Sequence, residues 1–336
     1  MTPENATLTK KDFVSDQQVR WCPGCGDYAI LSNLQHVFAE LGIPREKFVI
    51  VSGIGCAARI PYYVNAYGFH TIHGRAPSIA TGLKLARPDL SVWVVGGDGD
   101  MLSIGGNHLL HALRRNVDIN ILCFDNRIYG LTKGQTSPTS EVGKKTYSTP
   151  MGSLDRPVNP ISVALAAEAT FVARTADVFN RHLRDILHAA AAHQGSAFVQ
   201  ILQNCVIFNK GAFASLTDRG KREENTLYLE HGEPLVFGTE RDKALQLMRW
   251  TPEVVKIGAG GAPADATLIH DETDEALAYL LSRLEFPMPM GIFRRKGGLT
   301  PLERGVYFQG WAAREQKGAG DLMRLIHSGD VWEVEE

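Results

Sequence analysis

Five short apolar runs, Phe48–Ser52, Ser91–Val95, Ile119–Phe124, Phe171–Ala173 and Ala197–Leu202, are interspersed with four helical patterns, Tyr28–Leu41, Ser103–Arg115, Pro160–Ala169 and Val178–His193. This alternation constrains the fold more than any other feature. A run with no polar alternate residues needs cover on both faces. Strands alternating with helices therefore predict an α/β fold, a parallel sheet with helices on both faces. In such sheets ligands sit beyond the carboxyl ends of the strands. Many of the 33 glycines fall in four short clusters, just past a strand or ahead of the first helix, where a backbone without Cβ can approach a ligand closely. Residues 1–216 are expected to form this domain. Past Thr217 the pattern weakens, with a possible strand at Ala266–His270 and a helix at Glu272–Leu284, so residues 217–336 read as a C-terminal extension of undefined role.

Composition removes several function classes. A net charge of −2 gives no reason to expect nucleic acid or an anionic membrane as partner. The first residues, MTPENATLTKKDF, contain no apolar run that would read as a secretory signal. The most apolar stretch, Ile161–Ala173, is interrupted by Glu168 and falls short of the ~18 residues of a membrane span. Five cysteines, an odd number, suit a reducing compartment better than a disulfide scaffold. A cytoplasmic protein is the expectation.

Gly96-Gly97-Asp98-Gly99-Asp100 follows the second strand and opens a helix, a place where backbone N–H groups and the helix dipole favour a phosphate. An aspartate there would repel a diphosphate unless a divalent cation lay between them. Mg²⁺ takes one or two protein carboxylates, with phosphate oxygens and water completing its octahedron. The next strand runs into Asp125-Asn126-Arg127-Ile128-Tyr129-Gly130. Asp98, the Asn126 amide oxygen and the Ile128 carbonyl are therefore the candidate metal ligands. The GDG and an asparagine, 30 residues from Gly97 to Asn126, resemble the thiamine diphosphate motif, which usually ends in two asparagines where this chain has Asp125-Asn126.

Cys22 and Cys25 form a CxxC before the first helix, Cys56 closes Gly53-Ile54-Gly55-Cys56 after the first strand, and Cys205 follows the fifth. Four thiolates meeting at one sheet edge suit a structural Zn²⁺ or a [4Fe–4S] cluster. Cys123 lies inside a strand and reads as a small buried hydrophobe. The CxxC, GIGC, GDG and late cysteine stand in the order found in beta subunits of 2-oxoacid:ferredoxin oxidoreductases, and the chain resembles that family from about Val19 to Lys210. The resemblance implies a thiamine-diphosphate-binding fold. It makes Cys22, Cys25, Cys56 and Cys205 ligands of a [4Fe–4S] cluster. It places Ile54, Gly55, Ala57, His73, Arg75, Gly97, Gly99, Asp100, Gly130, Leu131 and Thr132 against the cofactor, with Mg²⁺ at its diphosphate. His73 of the His73-Gly74-Arg75 segment is also a candidate catalytic group. Arg59, with Lys133, is the candidate for meeting a distal substrate carboxylate.

By the same resemblance the enzyme oxidises a 2-oxoacid with coenzyme A and passes electrons singly through the cluster to ferredoxin, or runs in reverse. A thiamine diphosphate enzyme also needs a pyrimidine-binding domain, and no second doubly wound pattern is present. An alpha subunit is therefore expected, as alpha/beta or (alpha/beta)2. Glu233-Pro234-Leu235-Val236-Phe237-Gly238 and the overall length look more like 2-oxoglutarate than pyruvate enzymes. The competing readings are a pyruvate or broad 2-oxoacid enzyme, a non-redox thiamine diphosphate decarboxylase or carboligase with a structural zinc, and a zinc-stabilised binding protein.

Overall fold

The computed structural model describes residues 8–258 and 267–334. In chain order the strands are β1 (Phe48–Ser52), β2 (Tyr67–His70), β3 (Ser91–Gly97), β4 (Asn120–Asp125), β5 (Phe171–Ala176), β6 (Ala197–Leu202), β7 (Thr226–Leu229), β8 (Val236–Phe237), β9 (Lys243–Met248), β10 (Thr251–Lys256) and β11 (Met288–Arg295). Eight of them make one sheet in the order β2-β1-β3-β4-β6-β5-β11-β7. From β2 to β5 every pairing is parallel; β11 runs antiparallel to β5, and β7 is parallel to β11.

The apolar runs behave as continuous burial demands. Val49, Val51, Val92, Val94, Ile121 and Cys123 face one helix layer, while Phe48, Ile50, Trp93, Val95, Leu122 and Phe124 face the other. Successive side chains of a strand point to opposite faces, so an all-apolar strand feeds two cores at once. Helices Ala76–Ala86, Gly106–Arg114 and Pro160–Ala166 cover the first face through Ala80, Leu113 and Leu165. Helices Asp27–Glu40 and Asn180–Ala192 cover the second through Phe38 and Leu187. Each such fully buried side chain contributes about 1.5–3 kcal/mol of transfer free energy.

The five strands and four helices expected up to residue 216 are present, β1 and β6 with the expected bounds and the others with shifted ends. Helix Pro160–Ala166 stops before Glu168, which turns the chain at φ 63°. The helix expected from Ser103 starts at Gly106, behind a π-helical turn at Asp100–Ile104. Among the elements that the sequence does not announce are β2, an edge strand exposed throughout, and helix Ala76–Ala86, whose Pro77, Thr81 and Gly82 disguise its pattern. The sheet is not wholly parallel either. The segment past Thr217 supplies β7 and β11 to it, and its strands β8, β9 and β10 form a small antiparallel sheet. The expected helix there spans Glu275–Ser282. The expected strand at Ala266–His270 reduces to one bridge between Pro234 and Ile269, and Ala266 lies outside the described residues. No helix among the described residues is long and apolar enough to cross a membrane.

His182 gives this fold an acid-sensitive point. Its Nδ1 lies 2.9 Å from Thr175 Oγ1, between the rings of Phe179 and Tyr228, and burial pushes its pKa down to about 4. The folded ring stays neutral where the unfolded one, near 6.5, takes a proton. The stability it contributes is therefore present above about pH 6.5 and lost as pH falls toward 4, with a slope of up to about 1.4 kcal/mol per pH unit. His182→Gln flattens that part of the stability–pH curve in urea unfolding; an unchanged slope would mean the ring is already charged when folded.

Candidate active site

Strands β1, β3, β4 and β6 are adjacent and parallel. Their carboxyl ends therefore emerge on one edge, which brings the GIGC, GGDGD, DNRIYG and QNC segments together. The CxxC segment joins them: Gly26 N–H donates to the Asn204 carbonyl at 3.2 Å, and the Gln203 amide reaches Cys25 Sγ at 3.3 Å.

Asp98 is 2% exposed, and its Oδ2 accepts from the Ser137 and Thr139 hydroxyls, each at 2.5 Å. Burial, and then the neighbouring Asp125 carboxylate, push its pKa up to about 7. A carboxylate so desolvated suits a divalent cation, which replaces the proton. Arg127, at φ 56°, stands between Asn126 and Ile128 in a tight turn. Asn126 Oδ1 accepts from Ile128 N–H at 3.1 Å, and its amide donates to Gln203 Oε1 at 2.8 Å. The donor set of one carboxylate, one amide oxygen and nearby carbonyls is that of a hard, oxygen-seeking ion and fits Mg²⁺.

Asp100 ties three segments together. Its Oδ1 accepts from Ile54 N–H at 3.1 Å and Gly74 N–H at 2.8 Å, and lies 2.5 Å from His73 Nδ1. Its Oδ2 is buried with no partner. A Cβ at Gly53 would stand 1.9 Å from that oxygen and one at Gly96 2.6 Å, so both glycines are needed for the carboxylate to fit. Gly97 and Gly99 flank Asp98 in the same loop, and the Tyr129 hydroxyl donates to the Gly99 carbonyl at 3.1 Å. His73 is thus held beside the GDG loop, with its ring edge-on to Tyr129. Arg75 donates to the Ile104 carbonyl at 3.3 Å. Leu131 and Thr132 stand in the turn after Gly130, Leu131 exposed and Thr132 bonded to Gln135.

The four thiols converge. A Cβ on Gly130 would lie 3.5 Å from Cys205 Sγ and 3.7 Å from Cys56 Sγ. Cys56 and Cys205 raise the pKa of Cys25, and Cys205 and Cys22 raise that of Cys56. Burial and the charge of Asp27 do more: the Cys25 thiol is pushed far up and that of Cys56 up to about 12. Asp27 itself is fully buried, with both carboxylate oxygens unpartnered, and rises to about 7. Thiols this desolvated ionise only when a metal takes the place of their protons. Among the described residues no three His, Cys, Asp or Glu side chains are set to hold a single metal ion. Four cysteine thiolates are the donor set of a [4Fe–4S] cluster or of a structural zinc. The residues fit the cluster. Cys123 is buried in β4 and packs in the core.

Ala57 is buried just past Cys56. Arg59 is directed elsewhere: it donates to the Arg20 carbonyl at 3.2 Å and lines a small cleft with Gln17, Gln18 and Tyr62. Lys133 ends the Gly130 turn at φ 75°, exposed. The sequence reading did not find Ser137, Thr139, Gln203 or Asp27. A Ser-Pro-Thr-Ser run behind the turn was the available signal for the two hydroxyls, since it places several donors where a buried carboxylate needs them.

Residues 53–201 match the C-terminal TPP-binding domain of thiamine pyrophosphate enzymes. The 2-oxoglutarate oxidoreductase subunit KorB of Mycobacterium tuberculosis is 54% identical over 333 residues, covering 97% of this chain and 88% of that protein. The chain belongs to the 2-oxoacid:ferredoxin oxidoreductase beta-subunit family. A beta subunit of this family from Aeropyrum pernix is 51% identical over 189 residues, 56% of this chain and 59% of that one. Among solved structures, a 2-oxoglutarate:ferredoxin oxidoreductase from Magnetococcus marinus, bound to 2-oxoglutarate, coenzyme A and succinyl-CoA, superposes with TM-score 0.76 at 33% identity, covering 98% of each chain. The family is one of oxidoreductases, and its beta subunits work with an alpha partner. The resemblance drawn from the ordered motifs is borne out, as is the α/β sheet.

Proposed function

We propose that this beta subunit, paired with an alpha subunit, oxidises 2-oxoglutarate with coenzyme A to succinyl-CoA and CO2 and delivers both electrons to ferredoxin, or catalyses the reverse carboxylation. The observation that carries this reading is the meeting of four thiols, those of Cys25 and Cys56 desolvated, with the buried Asp98 carboxylate at one sheet edge. Cys22, Cys25, Cys56 and Cys205 hold a [4Fe–4S] cluster, and Asp98, Asn126 and the Ile128 carbonyl hold Mg²⁺. When bound, thiamine diphosphate supplies the electron sink that lets a 2-oxoacid lose CO2.

The chain's own groups position and shield that chemistry. Backbone N–H groups of the Gly97–Gly99 loop face the diphosphate. Asp100 fixes His73 by its Nδ1, leaving Nε2 as the free ring nitrogen toward the cofactor. The alpha subunit supplies the pyrimidine-binding domain. The names of the relatives and the Glu233–Gly238 segment support 2-oxoglutarate, and Arg59 and Lys133 are the cations proposed for its distal carboxylate.

The test is anaerobic turnover of the assembled alpha/beta enzyme with ferredoxin. We expect coenzyme-A-dependent ferredoxin reduction with 2-oxoglutarate at least tenfold more efficient (kcat/KM) than with pyruvate, and none from the beta chain alone. Turnover by the isolated chain, or a preference for pyruvate, would overturn the pairing or the substrate respectively.

A further inference from the structure

The loop past β4 has an aspartate where the thiamine diphosphate motif usually has the first of two asparagines. Asp125 is 2% exposed and stands beside Asp98. One hydroxyl lies between the two carboxylates: Thr139 Oγ1 is 2.5 Å from Asp98 Oδ2 and 2.9 Å from Asp125 Oδ1. A hydroxyl has a single proton and cannot donate to both. Two buried carboxylates this close need compensation by cations or by a proton. The metal ion proposed above would serve Asp98. Asp125 needs a partner of its own.

The structure holds that charge two strands away. Asp125 Oδ2 accepts from Gln200 Nε2 at 2.6 Å, and Gln200 Oε1 accepts from Arg174 Nε at 2.7 Å. Gln200 and Arg174 are register partners on the neighbouring strands β6 and β5. Arg174 is 4% exposed, and among the described residues no carboxylate lies within ion-pair distance of it. Its remaining contacts are neutral: the Pro289 carbonyl at 3.2 Å, Met288 Sδ, and the Phe293 ring at 5.2 Å. A buried guanidinium with only neutral partners is costly, and Asp125 is the charge that compensates it. Because the guanidinium can only donate, it also fixes which end of the Gln200 amide faces it, and so aims Nε2 at Asp125.

We propose that Arg174 is a positioning residue for the metal site: through Gln200 it neutralises and orients Asp125, which leaves the Thr139 proton and the cation to Asp98. The inference rests on the metal reading given above and adds residues to it. Asp125 and Arg174 then form a matched pair, so a variant that removes both charges should behave better than one that removes the cation alone.

The test uses the assembled alpha/beta enzyme with Arg174→Met, Asp125→Asn and the double variant, read by thermal unfolding without cofactor and by Mn²⁺ titration with thiamine diphosphate. Arg174→Met should lower the melting temperature by more than about 5 °C and weaken Mn²⁺ binding by about tenfold or more. The double variant should recover at least half of the thermal loss and bind Mn²⁺ within about threefold of the wild type, a non-additivity characteristic of direct coupling. If Arg174→Met does not assemble, recovery of assembled enzyme in the double variant is the same result. Losses in the double variant equal to the sum of the single ones would overturn the pairing, because a packing role for Arg174 gives no rescue. Asp98→Asn separates the two readings: retained Mn²⁺ binding there would refute the metal site while leaving the Asp125–Arg174 coupling to stand or fall on its own.

Discussion

Cys56→Ser or Cys205→Ser, introduced into the assembled enzyme and purified without oxygen, turns a brown protein pale, and ferredoxin reduction falls below detection. The wild-type chain should contain about four irons and four sulfides. Serine matches the size of cysteine but offers a hard, weakly acidic oxygen, which suits iron–sulfur ligation poorly. Both residues are half-buried in the place where the four thiols converge, so neither can be replaced by a nearby side chain among the described residues. Thiamine diphosphate binding should survive, since Asp98 and Asn126 directly follow β3 and β4 and lie outside the cysteine segments. A variant that keeps its visible absorption, or a wild-type protein that is colourless with one zinc, would remove the electron-transfer half of the function.

Asp98→Asn should do the reverse: the protein stays brown and loses its cofactor. Asparagine keeps the shape but removes the charge that holds the divalent ion, and with it the bridge to the diphosphate. Groups that hydrogen-bond to a metal's ligands are worth about 10–100-fold in affinity, so loss of a ligand itself should cost at least the upper end, about 100-fold in thiamine diphosphate binding at fixed Mg²⁺. Folding should respond in the opposite direction. Because burial pushes the Asp98 pKa up to about 7, its ionised form destabilises the cofactor-free protein as pH rises from about 4 through 7. At pH 8 the cofactor-free variant should therefore unfold at higher urea concentration than the wild type. Equal stability combined with unchanged cofactor affinity would show that Asp98 is not the metal ligand.

The layered core was legible because its strands are apolar on both faces. Phe48–Ser52 and Ala197–Leu202 are bounded as their residue types require, since no amphipathic alternative competes with burial there. The edge strand Tyr67–His70 and helix Ala76–Ala86 were not legible. An exposed edge carries no apolar signature, and a helix that packs through Ala76, Ala80 and the stem of Lys84 has no large side chains to mark its face. The same contrast runs through the site. Asp98, Asn126 and the cysteines lie in short local motifs and could be named from spacing. Ser137, Thr139, Gln200 and Arg174 reach Asp98 and Asp125, directly or through one another, from distant parts of the chain, and only the fold brings them there. Arg59, expected from its place after Cys56 to meet a substrate carboxylate, donates to the Arg20 carbonyl of the N-terminal segment.

The order β1-β3-β4-β6 also sets a length. Cys56 and Cys205 follow the outer two of these strands, and the GDG loop and Asn126 follow the inner two. With neighbouring strands about 4.8 Å apart, the whole group spans about 14 Å. The sites proposed for the electron donor and its first acceptor are thus mounted on one hydrogen-bonded frame, with no hinge between the strands that carry them. Electron transfer between them requires no domain swing, so its rate should be independent of solvent viscosity, and the slow, diffusive part of the cycle is left to encounters with molecules arriving from outside.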